Sequence, residues 1–158
     1  MDKDFTRQLA MNTIDLTALK KIYASANVES ELVALDDAIP STLITFLKND
    51  SKERLISMSH TFVPLPSELF PDIKLLQFYI ELPFEIARGS SDELTEINRS
   101  IPVGNFGLSE NNTIYFRYVA TLGRFDVLAE LSDRLLDLIN LIIAVLDTHS
   151  EPIEEAFS

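Results

Sequence analysis

The stretch IKLLQFYIELPFEI, residues 73–86, has the clearest period-2 pattern in the chain and decides the fold class. Successive side chains of a β-strand point to opposite faces of the sheet, so this alternation predicts a strand with one buried and one solvated face. Because Pro83 has no backbone N–H, an edge or a bulge is expected there. The residues predicted to face inward are Leu76, Phe78, Ile80, Leu82, Phe84 and Ile86, and those predicted to face outward are Gln77, Tyr79, Glu81 and Glu85.

Strand patterns lie on both sides of this stretch. They are rich in β-branched and aromatic residues, and polar or proline-rich segments separate them. Upstream they cover 42–48 and 54–63, and a further short strand is compatible with 31–35; downstream they cover 103–108 and 113–122, joined by a turn at 109–112.

Helical spacing of apolar residues predicts helices at 4–27 and at about 125–147,. Between the strands, Ser90 and Glu93 fit a capping box at the start of a short helix that ends near Ser100,. The predicted order is therefore α–β–β–β–α–β–β–α, a two-layer α+β domain with a single antiparallel sheet. We expect one domain over residues 1–158, with 148–158 as a loosely ordered acidic tail.

The last predicted helix is apolar around more than half of its circumference in its second half. A helix that covers one sheet face needs only a stripe about 100° wide. The excess predicts a second buried contact, made either by another element of the chain or by a second subunit, and we expect a homodimer. The residues that carry this prediction are Leu135, Leu138, Ile139, Ile142, Ile143 and Leu146.

The composition describes an acidic globular protein of 158 residues with a net charge of −12 and no cysteine. Such a surface repels nucleic acid and anionic membranes, so neither is an expected partner. Good solubility is the preferred interpretation of the acidic charge, and a basic protein partner is the alternative. No basic and apolar leader begins the chain, and the most apolar run, 135–146, is shorter than the roughly 20 residues of a membrane span,. We therefore expect a cytoplasmic location.

Side chains with reactive chemistry are few. The two histidines, His60 and His149, have neither the spacing of metal ligands nor a neighbouring serine nucleophile, so no catalytic residue, metal or cofactor is predicted,. The glycines of GNFG, Gly104 and Gly107, are followed by a strand rather than a helix. A phosphate loop is therefore disfavoured, and backbone packing in a hairpin is the preferred interpretation.

The outward faces of two predicted strands supply the candidate binding residues. A lone cation, Arg117, shares its face with Tyr115, while Tyr79 and Glu81 lie on the outward face of 73–86. A cross-strand ion pair between Arg117 and Glu81 is the preferred prediction. The alternative is that Arg117 anchors a carboxylate of a partner protein. The candidate protein-binding residues are Tyr79, Glu81, Tyr115 and Arg117.

The order of elements resembles that of YbjN-like bacterial domains and of class I type III secretion chaperones. The local resemblance lies in ELTEINRSIPVGNFGLSENNTIYFRYVATL followed by FDVLAELSDRLLDLINLIIAVL, with an L-x-x-x-N helix ending at Leu94 to Asn98. The resemblance implies a non-catalytic, protein-binding and often dimeric domain, with a chaperone-like or regulatory role. Two alternatives stay open: a dedicated chaperone for one exported effector, and a small-molecule sensor or enzyme with a pocket between sheet and helices.

Overall fold

The computed structural model describes residues 3–33 and 40–158. Six strands form one antiparallel sheet in the order β1-β2-β3-β4-β6-β5, and three helices accompany it. The predicted α+β class with a single antiparallel sheet is confirmed. The elements are α1 (Lys3–Ser25), β1 (Glu29–Val33), β2 (Thr42–Asn49), β3 (Leu55–Val63), β4 (Ile73–Glu85), α2 (Ser91–Asn98), β5 (Asn105–Leu108), β6 (Thr113–Gly123), a 3₁₀ helix (Leu128–Leu131) and α3 (Ser132–Phe157).

The order of elements contains one strand more than the predicted order, because four strands precede α2. The additional strand, β1, starts immediately after α1, where Asn27 adopts a left-handed conformation (φ 60°) and the Val28 N–H donates to the Tyr23 carbonyl at 2.9 Å. At five residues and without regular alternation, β1 gives only a weak strand signal,. The sequence was compatible with a short strand at 31–35, and the last two residues of that range lie outside the described part of the chain.

The alternating strands bury most of the residues that their patterns predict, but Phe84 and Ile86 are only partly buried. On β4, Leu76, Phe78 and Ile80 are fully buried, and the side chains between them are not. Apart from Leu9, the buried side chains of all three described helices belong to the same hydrophobic cluster as these inward-facing residues. The molecule therefore has a helical layer on one face of the sheet, and the other face is called the outer face below. The pairing of β4 with β6 shifts between Glu81 and Glu85, which confirms the bulge expected at Pro83.

The predicted loosely ordered tail is wrong: α3 continues to Phe157. Ile153 and Phe157 are fully buried and extend the apolar stripe of the helix beyond Leu146. The carbonyl of Phe157 accepts hydrogen bonds from the backbone of Ala87 and Arg88, at 2.8 and 3.2 Å. Burial of the two apolar side chains thus outweighs the helix-breaking tendency of Pro152 and the acidic composition of this segment.

The wide apolar arc of α3 contacts the core of its own chain. Leu135, Ile139, Ile142 and Leu146 are buried, while Leu138 and Ile143 are partly buried and pack against the same cluster. Contacts within the chain therefore account for the burial of these six residues, and a second subunit is not needed to explain it. Within the described residues, no helix combines the length and the apolar character needed to cross a membrane.

Candidate functional site: the outer face of the sheet

The outer face carries a continuous surface of half-buried and exposed side chains. Register places Ile44 beside Ser59, Ser59 beside Tyr79, and Tyr79 beside Arg117, so one row of outward-facing residues crosses four strands. In contrast to the inward-facing positions of β3, β4 and β6, none of the outward-facing side chains on these strands is fully buried. This open face is where the structure brings together Tyr79, Glu81, Tyr115 and Arg117.

Tyr79 and Tyr115 form the centre of this face. Their rings stack with centroids 5.4 Å apart and an interplanar angle of 24°. Tyr115 also lies across Gly107 on β5, because a Cβ at that glycine would be 2.3 Å from the Tyr115 ring. Partial burial raises the pKa of Tyr79, with a further contribution from the neighbouring Glu81 carboxylate. Tyr79 is therefore uncharged at neutral pH, and the two stacked rings form a flat aromatic platform.

The two charged candidates, Arg117 and Glu81, flank this platform. Contrary to the prediction, they do not contact each other. Arg117 donates from Nε to Oε1 of Gln77 at 2.7 Å, and Glu81 accepts from the hydroxyl of Thr113 at 2.7 Å. The predicted Arg117–Glu81 ion pair is wrong, because register places Arg117 opposite Tyr79 and Glu81 opposite Tyr115. Among the described residues Arg117 has only neutral hydrogen-bond partners, so its positive charge stays available at the surface.

Gly104 and Gly107 both have a packing role in the β5–β6 hairpin. Gly104 adopts a φ of 67°, and a Cβ there would lie 2.4 Å from the Phe116 ring and 2.8 Å from the Arg117 carbonyl oxygen. The tip at 109–112 is closed by a hydrogen bond from the Ser109 N–H to the Thr113 carbonyl at 2.9 Å. The chain's own atoms thus occupy the space beside both glycines, which agrees with the preferred interpretation of GNFG.

The two edges of the sheet differ in a way that the sequence does not reveal. At the β5 edge, the Asn98 side chain hydrogen-bonds both backbone groups of Phe106: Nδ2 donates to the carbonyl at 2.9 Å, and Oδ1 accepts from the N–H at 2.7 Å. At the other edge, β1 pairs with β2 alone among the described strands. The β5 edge is therefore capped by a side chain, whereas no strand in residues 3–33 and 40–158 pairs with the outer side of β1,.

A second site lies between the β2–β3 turn and the last turns of α3. Arg54 donates from Nε to Asp50 and from both Nη atoms to the two carboxylate oxygens of Glu154, all at 2.8 Å. Lys52 adds an ion pair to Glu154 at 3.1 Å. The guanidinium also lies 5.8 Å from the centre of the Phe84 ring. Sequence reasoning missed this cluster, since Arg54 and Glu154 are separated by 100 positions.

These contacts change the acidity of the carboxyl groups in the cluster. The hydrogen bonds from Arg54, followed by that from Lys52, hold the pKa of Glu154 below its usual range. For Asp50, burial acts to raise the pKa, but hydrogen bonds from the Arg54 side chain and from the backbone of Arg54 and Lys52 outweigh it, and the pKa is lowered. Both groups are therefore ionised at neutral pH and hold Arg54 in place.

The cluster borders a cavity of about 280 Å³. Its apolar wall comes from the sheet and from α3, and its rim is acidic. The Ser150 hydroxyl oxygen lies buried at this site with no hydrogen-bond partner among the described atoms. The lining residues include Leu47, Ile56, Phe84, Ile143 and Leu146 on the wall and Asp147, Glu151 and the Arg54–Glu154 ion pair on the rim. Of these rim groups, the carboxylates of Asp147 and Glu151 suit a small cation with an apolar body.

Neither histidine lies on the outer face. His60 is fully buried and shares a hydrogen bond of 3.0 Å with the Thr45 hydroxyl, and burial lowers the pKa of its imidazole to about 3. His149 is half-buried, with its ring centre 6.2 Å from that of Phe106. Among residues 3–33 and 40–158, no group of three or more Asp, Glu or His side chains could hold a metal ion.

Comparison of the chain with protein-family models, with curated proteins and with solved structures found no match. The resemblance to YbjN-like domains and secretion chaperones therefore remains a prediction from the sequence.

Proposed function

We propose that the protein is a non-catalytic binding module that holds an extended, basic segment of another protein on the outer face of its sheet. The observation that carries this proposal is the open outer face itself, with the stacked Tyr79 and Tyr115 at its centre. Aromatic rings offer a large contact area at a low cost in side-chain entropy, and they are enriched where proteins bind one another. A chaperone-like or regulatory role is compatible with such binding.

The charge of the outer face favours a basic segment. Register aligns Glu29 with Phe46 and Glu31 with Ile44, so both carboxylates lie on the outer face together with Glu81. Arg117 is the only Lys or Arg among the described residues of β3, β4 and β6 that faces outward. The whole chain carries 25 acidic against 13 basic residues. A Lys- or Arg-containing segment would therefore be attracted to this face, with Arg117 left to bind a carboxylate or a backbone carbonyl.

The sheet edges favour an extended conformation of the bound segment. Because Asn98 occupies the backbone groups of Phe106, strand addition at β5 is blocked, whereas β1 can accept a strand,. A segment that crosses the outer face from the tyrosine platform towards β1 would end beside an edge with available N–H and C=O groups. This arrangement combines side-chain contacts on the face with backbone pairing at the edge.

Selection of random linear peptides on the immobilised full chain tests the proposal. Enriched peptides are expected to contain Lys or Arg, and their affinity in solution should fall as salt screens the attraction. The double variant Tyr79→Ala/Tyr115→Ala should weaken binding by at least about tenfold, because central aromatic residues contribute most of the energy of such contacts. Glu151→Gln, which changes the cavity rim instead, is the matched control. Failure to enrich any peptide, or equal loss in the control, would count against the outer face.

The cavity beside Arg54 favours a second candidate function, the binding of a small organic amine. Its apolar wall and acidic rim suit a primary ammonium group carried on an apolar body, and its volume of about 280 Å³ is close to the lower end of the usual range for ligand sites,. A thermal-shift series with phenylethylamine and related amines tests this candidate. Stabilisation that Glu151→Gln abolishes would support it, and no stabilisation by any amine would exclude it.

A further inference from the structure

One row of side chains on the outer face has opposite charges at its two ends. Arg117 lies on β6, and register places it opposite Tyr79 of β4. The row continues through Ser59 of β3 and Ile44 of β2 to Glu31 of β1. The three side chains between the guanidinium and the carboxylate are neutral. The outer face therefore has a positive side at β6 and a negative side at β1.

A second carboxylate strengthens the negative side. Register aligns Glu29 with Phe46 in the same way as Glu31 with Ile44, and both glutamates are exposed. They are two positions apart on one strand, so their side chains point to the same face and start roughly 7 Å apart. Two carboxylates at this spacing can attract a single Lys or Arg side chain together.

The width of the sheet fixes the distance between the two charged sides. In the order of strands, β6 lies four steps from β1. Because neighbouring strands are about 4.8 Å apart, Arg117 and Glu31 are separated by roughly 19 Å across the sheet. This distance exceeds the Debye length of roughly 8–10 Å at ordinary ionic strength, so neither side neutralises the other.

Glu81 lies much closer to Arg117 than the two glutamates of β1 do. It faces outward on the adjacent strand β4, one row from Arg117, and such diagonal neighbours are roughly 7–8 Å apart,. Its carboxylate also accepts a hydrogen bond from the Thr113 hydroxyl at 2.7 Å. Because Arg117 is within one Debye length, its positive charge reduces the attraction of Glu81 for a second cation. The glutamates of β1 are therefore the stronger site for a basic side chain.

Apolar and aromatic side chains lie between the two charged sides. The stacked rings of Tyr79 and Tyr115 are next to Arg117. Ile44 and Phe46, both half-buried, are next to the glutamates of β1. An extended segment advances about 3.3 Å per residue and directs every second side chain to the same side, so roughly 19 Å corresponds to about six residues. Its side chains at alternate positions between the two ends would contact these apolar residues.

We propose that the segment bound on the outer face carries an acidic and a basic residue about six positions apart, with apolar residues at alternate positions between them. Its carboxylate pairs with Arg117, its apolar side chains cover the tyrosine platform and Ile44, and its Lys or Arg lies between Glu29 and Glu31. The inference rests on the proposed peptide binding and specifies the partner, which has separated charges of both signs rather than basic residues alone. Both chain directions of the segment satisfy this arrangement.

Fluorescence anisotropy of labelled synthetic peptides with the full chain tests the inference. Each peptide contains one Asp and one Lys, with Val, Tyr and Thr at the other positions, and is made in both chain directions. Peptides of identical composition carry the two charges either about six or about two positions apart. An exposed ion pair changes affinity by up to about fivefold, so the widely spaced peptide should bind about threefold or more tightly than the closely spaced one.

Reversal of the charge at position 117 provides the sharpest comparison. Arg117→Glu should weaken the widely spaced peptide at least about fivefold, and replacement of the peptide's Asp by Lys should restore the affinity for this variant. Glu29→Gln/Glu31→Gln should also weaken binding, whereas the matched control Glu81→Gln should change it less than about twofold. Arg117→Gln provides a second test if circular dichroism reports that Arg117→Glu is unfolded.

Three results would overturn the inference: equal affinity for the two spacings, an effect of Glu81→Gln as large as that of the β1 double variant, or an Arg117→Glu variant that does not prefer the exchanged peptide. Tyr79→Ala/Tyr115→Ala separates this inference from the proposed function. If both spacings bind equally and this double variant weakens both, the spacing is refuted and the proposed function is retained. If neither these peptides nor any selected peptide binds, both are refuted.

Discussion

Asn98 on α2 hydrogen-bonds both the N–H and the carbonyl of Phe106 on β5, at 2.7 and 2.9 Å. A side-chain amide thus occupies the positions that a further strand would use. The same helix turn buries Leu94 in the core, so the L-x-x-x-N spacing places one residue inward and one against the sheet edge. The sequence motif has a structural role at this edge: it anchors α2 and occupies backbone groups that edge-to-edge association would use,.

Replacement of Asn98 by Leu should destabilise the protein and promote aggregation. The variant leaves both backbone groups of Phe106 without their partner, which costs about 2–3 kcal/mol in the free energy of unfolding. Urea denaturation measures this loss, and light scattering measures association through the uncovered edge. Asn105→Ala, at an exposed position of the same strand, should stay within about 0.5 kcal/mol of wild type,. Equal stability of the two variants would contradict the capping role of Asn98.

The two glycines of the β5–β6 hairpin should respond differently to alanine. Gly104→Ala forces a left-handed backbone on a residue with a Cβ and moves that atom into Phe116 and the Arg117 carbonyl, so we expect a loss of about 2 kcal/mol or more,. At Gly107 the new Cβ meets only the far end of Tyr115, which can rotate away. A smaller loss of about 1 kcal/mol is therefore expected.

Near-ultraviolet circular dichroism provides the second readout for the glycine variants. Rotation of Tyr115 in Gly107→Ala would separate it from Tyr79 and change the tyrosine signal. Equal losses of stability for Gly104→Ala and Gly107→Ala, with unchanged tyrosine spectra, would refute this distinction.

The Arg54 cluster should make stability sensitive to acid. The pKa values of Asp50 and Glu154 are lowered in the folded state, so their contribution is complete above the ordinary carboxyl pKa and is lost as pH falls through the lowered values,. At neutral pH, Glu154→Gln should lower the free energy of unfolding by about 2 kcal/mol, because the charged hydrogen bonds of Glu154 are lost. The stability of this variant should also fall less steeply with acid than that of the wild-type protein. Unfolding by urea over a pH series measures both effects.

Glu96→Gln serves as the control for the Arg54 cluster, because the Glu96–Arg99 ion pair is largely exposed and contributes less than about 1 kcal/mol,. If Glu154→Gln were as stable as Glu96→Gln and showed the wild-type acid dependence, the cluster would have no role in holding the end of α3.

His60 should produce a separate pH effect at milder acidity. Its pKa is about 3 in the folded state, against 6.5 for an unperturbed imidazole, so the unfolded chain binds the proton first as pH falls. Stability should therefore decrease by about 2 kcal/mol between about pH 7 and pH 5, where carboxylates change little. The double variant Thr45→Val/His60→Phe replaces the buried polar pair together and should lose this slope. An unchanged slope in a folded double variant would assign the effect to other groups.

The sequence predicted those parts of the fold in which each local pattern agrees with the tertiary packing. Alternation on β3 and β4 reported burial correctly because one face of the sheet is covered and the other is open. The end of α3 was missed because Pro152 and the glutamates obscured the spacing of Ile153 and Phe157, and because the Phe157 carbonyl is bound by Ala87 and Arg88, which are distant in sequence.

The candidate site was predictable as a set of outward-facing residues but not as a set of contacts. Alternation placed Tyr79, Glu81, Tyr115 and Arg117 on one face, whereas their pairing depends on strand register, which no local pattern specifies,. The Arg54–Glu154 contact and the capping of Phe106 by Asn98 required the tertiary structure for the same reason. The only local signal for the first is the spacing of Asp50 and Arg54 across a polar turn.

Amide chemical-shift mapping with a selected basic peptide identifies the surface that binds it. We expect the peptide to perturb residues 77–81 of β4, 113–119 of β6 and the β1 edge, and to leave the cavity residues around Glu151 unchanged. Perturbations confined to the cavity or to the helical layer would contradict this expectation.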